Sequence, residues 1–119
     1  MTYDELLKIV EDENIEIDEI DLPKKIKGLY VDNNIAIKRN MLETEKACTL
    51  AEELGHYYTT SGNILNLSDI RNRKQEYQAR LWAYDKQIGL IGIVQAYENR
   101  CKDLHEMAEY LNITEGFLS

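Results

Sequence analysis

Thr49-Leu50-Ala51-Glu52-Glu53-Leu54-Gly55-His56-Tyr57-Tyr58 is the stretch on which the reading of this chain turns. Each residue of a helix advances about 100°. Glu52 and His56 are four positions apart, so they stand one above the other on a single face. Glu53 sits beside them, about 60° from His56. Ala47, Ala51, Leu54 and Tyr58 recur at helical spacing on the opposite side and form a stripe suited to a core. The pattern predicts a helix from about Thr44 to Tyr58. One side of it packs; the other presents two side chains able to ligate a metal, with a carboxylate next to them.

Upstream, Thr2 and Glu5 have the spacing of a capping box, and Leu6, Leu7 and Val10 supply an apolar side. A helix from about Tyr3 to Asp12 follows. Ile15-Glu16-Ile17-Asp18-Glu19-Ile20 begins in alternation with β-branched apolar residues and reads as a strand closed by Pro23, the sole proline. Leu29-Tyr30-Val31 and Ile35-Ala36-Ile37 flank Asp32-Asn33-Asn34, whose residue types tolerate positive φ; this is a tight hairpin. Three short strands then make a small sheet, and an open edge of it could pair with an extended peptide.

Downstream, Thr59-Thr60-Ser61-Gly62-Asn63 is a stop signal, and Ile64 to Asn72 reads as loop with Ser68 and Asp69 as caps. A second long helix is predicted from about Arg73 to Ile88. Tyr77, Leu81, Tyr84 and Ile88 form its apolar stripe. Glu76, Ala79 and Ala83 lie off that stripe, where small alanines would let another helix approach and Glu76 would point into the contact. The helical pattern resumes from Ile91 to Leu111, and Thr114 caps a last turn carrying Phe117 and Leu118. The expected fold is α+β, mainly helical with a short three-stranded sheet, as a single domain over residues 1–119.

Composition narrows the function. Of 119 residues, 22 are acidic and 14 basic, for a net charge of −8, which disfavours direct binding to nucleic acid. No apolar run approaches the ~20 residues of a membrane span. Met1-Thr2-Tyr3-Asp4 lacks the basic and apolar regions of a signal peptide, and the two lone cysteines, Cys48 and Cys101, suit a reducing cytoplasm.

A catalytic zinc site needs three protein ligands and an open position. The metal polarises a scissile carbonyl and acidifies water, and a nearby carboxylate moves the proton. Glu52 and His56 offer two ligands, Glu76 on the next helix is the candidate third, and Glu53 is placed as general base. On these residues alone a second reading stands beside this one: Glu52 and Glu53 as a solvated face, and His56 as a hydrogen-bonded, half-buried residue. Tyr58 belongs to the packing stripe, while Tyr57 is open to an oxyanion role. His105 reads as a surface or boundary residue without a partner at ligand spacing. Arg71, Arg73, Lys74 and Arg80 read as solvated charges paired with nearby acids.

Ala51-Glu52-Glu53-Leu54-Gly55-His56-Tyr57-Tyr58-Thr59-Thr60, Gly62-Asn63-Ile64 and Lys74-Gln75-Glu76-Tyr77-Gln78-Ala79-Arg80-Leu81-Trp82-Ala83-Tyr84 together resemble the ImmA/IrrE family of metallo-endopeptidases, in particular short members carried by phages and integrative elements. That family has a small zincin-like fold and the pattern H-E-x-G-H followed by E-x-x-A-x-x-[FW]-A. The resemblance implies His56 and Glu76 as ligands of zinc or another divalent cation, Glu53 as the catalytic base, and Ala79, Trp82 and Ala83 as the rest of the second motif. Glu52 departs from the pattern, which has His there. Two carboxylates with one imidazole make a weaker Lewis acid of the ion and shift preference toward harder cations. The implied substrate is a helix-turn-helix repressor protein of the element's own genes. The alternative is a catalytically inactive module of the same fold that grips a repressor or toxin partner.

Overall fold

The computed structural model of the chain describes residues 1–59 and 70–118, and for residues 70–72, 90, 91, 93 and 94 the backbone alone. Helix α1 (Tyr3–Asp12) opens with the predicted capping box: Thr2 Oγ1 accepts from the Glu5 N–H, and the Glu5 carboxylate accepts from the Thr2 N–H. Tyr3, Leu6 and Val10 are its buried side. Strands β1 (Glu16–Ile20), β2 (Gly28–Val31) and β3 (Asn34–Lys38) form one sheet in the order β1-β3-β2. β1 runs parallel to β3 and β2 antiparallel to it, so β1 and β2 are both edges. The hairpin turns on Asp32 and Asn33, at φ 47° and 66°, and Asn34 already belongs to β3.

Helix α2 (Glu43–Thr59) lies across the sheet, and Ile35 and Ile37 of the central strand point into it. Leu6, Ile35, Ile37, Leu50 and Leu54 are fully enclosed. Each such side chain contributes about 1.5–3 kcal/mol relative to exposure. One polar node ties three elements together: the Tyr3 hydroxyl and the Lys46 ammonium both donate to the Glu19 carboxylate, at 2.8 and 2.7 Å. The Lys46 bond, then the Tyr3 bond, hold that carboxyl below its usual range, while burial and Glu19 push the Tyr3 hydroxyl upward.

Helix α3 (Ile70–Gln87) packs along α2. It starts three residues earlier than predicted, within the stretch read as loop; the turn at 60–63 and the caps at 68 and 69 lie outside the described residues. Its packed side follows the predicted stripe only in part: Tyr84 and Ile88 pack against the core, but the first half of the stripe does not. Tyr77 and Leu81 are 66% and 49% exposed, whereas Ala79 and Ala83 are buried. A Cβ on Gly55 would meet the Ala79 carbonyl oxygen at 2.2 Å, so the two backbones touch there and leave no room for large side chains. The contact expected from the small alanines is what orients the helix, and it turns Tyr77 and Leu81 outward.

The helical stretch after residue 88 is interrupted. Helix α4 (Gly89–Glu98) ends at Asn99, and α5 (Leu104–Leu111) starts afresh with Asp103 as its cap. Arg100 at φ 59° turns the chain between them. Helix α6 (Glu115–Leu118) is capped by Thr114, whose hydroxyl accepts from the Phe117 N–H at 3.0 Å. Phe117 and Ile113 enter the same core as Leu50 and Leu54. No helix among the described residues is long and apolar enough to cross a membrane.

Candidate active site

α2 is enclosed over most of its circumference, so its acidic side is not a free surface. Glu53 and His56 are 8% and 6% exposed. They lie on the floor of a cleft of about 600 Å³, within the usual range for ligand pockets. The walls come from three places: residues 25–30 of β2 and its approach, Glu76 and Arg80 of α3, and Thr114, Gly116 and Phe117 around α6.

Two glycines set this geometry. Gly28 faces α2, and a Cβ there would stand 2.6 Å from Thr49 Cγ2 and 3.2 Å from Glu53 Cγ. Only a residue without a side chain lets the edge strand lie this close to Glu53. Gly55 brings α3 against α2, and one turn away His56 Nε2 meets Glu76 Oε1 at 3.3 Å. Of the three predicted ligands, His56 and Glu76 are thus brought together. Glu52 lines the same cleft, with Arg80 Nη1 at 3.8 Å from its Oε1. Among the described residues no three His, Cys, Asp or Glu side chains gather in the arrangement of a metal site.

Burial dominates the electrostatics. It raises the Glu53 carboxyl to about 7, His56 pulling the other way and Glu52 and Glu76 adding to the rise. Burial also raises Glu52, against the pull of Arg80 and His56. For His56, burial opposes protonation, but the Glu76 hydrogen bond and the charges of Glu53, Glu76 and Glu52 outweigh it, so its pKa lies above the ordinary value. His56 Nδ1 is buried with no hydrogen-bond partner among the described residues. An unpartnered buried polar atom costs about 1–3 kcal/mol, a burden expected where function rather than packing dictates the residue.

The donor chemistry can be tested against a divalent ion. Two ligands at tetrahedral angles on zinc, each about 2.0–2.1 Å away, are about 3.3 Å apart. The His56–Glu76 separation has that value. The pair has a separation that a divalent ion could use; Glu52 lines the same cleft but is engaged with Arg80 and does not join the pair in a three-ligand arrangement.

Other expectations meet a different outcome. Tyr58 is 43% exposed rather than core: its ring stacks on Trp82, 4.9 Å between centroids. The Tyr57 and Tyr58 hydroxyls both donate to Glu13, at 2.8 and 3.1 Å, which commits Tyr57 to tying α1 to α2. His105 is a surface residue, but it has partners: Glu109 at 2.9 Å, four positions on, and Glu115 at 3.3 Å. Cys48 is buried filler, and burial pushes its thiol pKa up. Arg80 does pair with an acid, as expected of its cluster, and that acid is Glu52, a candidate ligand. Sequence reasoning missed Gly28, Thr49, Lys25 and Lys27 as cleft residues. For Gly28 the available signal was its place at the head of a strand, where glycine marks close backbone approach.

Residues 10–119 match the family model for the IrrE N-terminal-like domain, peptidase M78. No curated protein and no solved structure matches the chain.

Proposed function

The chain belongs to the IrrE N-terminal-like peptidase family, which carries a metallopeptidase-type function, and from that premise we propose a metal-dependent endopeptidase of the cytoplasm that cleaves a repressor protein of a phage or mobile element. The observation that carries the reading is the His56–Glu76 pair at ligand separation beside a buried Glu53. His56, Glu76 and Glu52 would hold zinc or another divalent cation. The ion supplies Lewis acidity toward a peptide carbonyl.

The remaining work falls to the protein. Glu53, raised to about 7, is matched to taking a proton from water and returning it to a leaving amine near neutral pH. β2 orients the peptide. The Lys38 N–H bonds the Lys27 carbonyl at 2.8 Å, so antiparallel alternation turns the backbone groups of Gly28 and Tyr30 outward from the sheet. An extended substrate adds to that edge, beside Glu53.

The Arg80–Glu52 pair favours a second reading, a silent module that binds the repressor without cutting it. Two measurements separate them. Untagged protein should carry or take up about one equivalent of a divalent ion, and Glu53→Gln should stop cleavage of the co-expressed repressor while still binding it. Failure to bind any divalent ion, or cleavage undiminished in Glu53→Gln, would overturn the enzyme reading.

A further inference from the structure

Arg80 stands one turn beyond Glu76 on α3 and reaches into the same cleft. Among the described residues its guanidinium contacts an acid, two backbone carbonyls and an aromatic ring. Nη1 lies 3.8 Å from Glu52 Oε1. Nη2 donates to the carbonyl oxygens of Gly116 and Phe117, at 3.4 and 3.5 Å. The guanidinium carbon lies 5.5 Å from the centre of the Tyr84 ring, within cation–π range. The guanidinium is anchored on the α6 side and extends one nitrogen toward the motif helix.

The charges in the cleft explain why a cation is needed there. Glu45, Glu52, Glu53 and Glu76 all line it. Lys25 and Lys27 are on the far wall, and Lys27 is engaged with Glu45 at 3.7 Å. Glu76 has His56. Glu52 has Arg80. We propose that Arg80 is a positioning residue that stands in for a divalent cation at Glu52: it holds this carboxylate while the cleft is ion-free, and an arriving ion must take Glu52 from it. The inference rests on Glu52, His56 and Glu76 being the ion's ligands.

Two features make the arrangement an exchange rather than a lock. The pair is long and partly solvated, the side chains 44% and 37% exposed, so its attraction is weak and an ion can outbid it. Arg80 also has somewhere to remain: with Nη1 released, the two carbonyls and the Tyr84 face still hold the group. The planar fork of arginine lets one group make these contacts at once.

Titration calorimetry with manganese(II) or zinc(II) chloride on the full chain tests the proposal. Arg80→Gln should bind the ion about fivefold more tightly than the wild type, the competing charge being gone. Arg80→Leu, which keeps an apolar stem against Tyr84, should do the same and serves if the Gln variant does not fold. Arg80→Lys, which keeps the charge, should stay near the wild-type affinity. In a Glu52→Gln background, Arg80→Gln should change nothing. Equal or weaker binding by both neutral variants, or the same tightening without Glu52, would overturn the proposal. If the wild type binds an ion and the Arg80 variants match it, this inference alone falls; if no variant binds one, the proposed enzyme falls with it.

Discussion

Glu53 concentrates the chemistry at the scale of single residues. Its burial is unfavourable for a charged carboxylate, and its carboxyl is raised to about 7 as a result. The folded state therefore binds a proton that the unfolded chain, near 4.5, has released. Stability from this group is full below about pH 4.5 and is lost as pH rises toward 7. In chelator, Glu53→Gln should be more stable than the wild type at pH 8 by about 3 kcal/mol, and the gap should close on titration to pH 4. Urea melts across that range check it; a gap independent of pH would mean that Glu53 is not held in the buried state described.

Between α2 and α3, the decisive quantity is an interhelical distance. Glycine inside a helix costs about 1 kcal/mol relative to alanine. Gly55→Ala removes that cost but drives a methyl into the Ala79 carbonyl, 2.2 Å from its Cβ. Overpacking of this kind costs about 1–3 kcal/mol, so the variant should be less stable despite its better helix propensity. It should also bind a divalent ion more weakly, because α3 carries Glu76 away from His56. Gly28→Ala separates the two effects. Its methyl meets Thr49 and Glu53 on α2 and not the Ala79 carbonyl, so repressor cleavage should fall while ion affinity holds. Melts and calorimetry on the two variants measure the difference.

Over the whole molecule, an ion held by His56 and Glu76 as proposed would act on the folded state alone. At one hundred times its Kd it should add about 2.7 kcal/mol to the stability. Thermal melts should show a rise in Tm that chelator reverses and that Glu76→Gln abolishes. The cleft also draws on distant parts of the chain: β2, both long helices and the turn at Thr114–Phe117 each supply a wall. Loss of Phe117 from the core by Phe117→Ala should cost about 3–5 kcal/mol and loosen the wall on which Arg80 rests.

The elements written in short-range chemistry were legible from the residues. The capping box of Thr2 and Glu5, the positive φ of Asp32 and Asn33, the alternating strands and the Thr114 cap each depend on groups a few positions apart. The motif helix was readable for the same reason, and with it the neighbourhood of Glu52, Glu53 and His56 on one face. The packed side of α3 was not fully so, because hydropathy favoured Tyr77 and Leu81 while a backbone contact at Gly55 admitted only Ala79 and Ala83. Nor could periodicity place Arg80 against Glu52, Gly28 against Thr49, or Tyr57 on Glu13. Local sequence determined which helices, strands and acids this protein has. The tertiary structure alone decided which of those acids meet a cation and how closely a strand approaches Glu53, because such contacts join residues that only the packed chain makes neighbours.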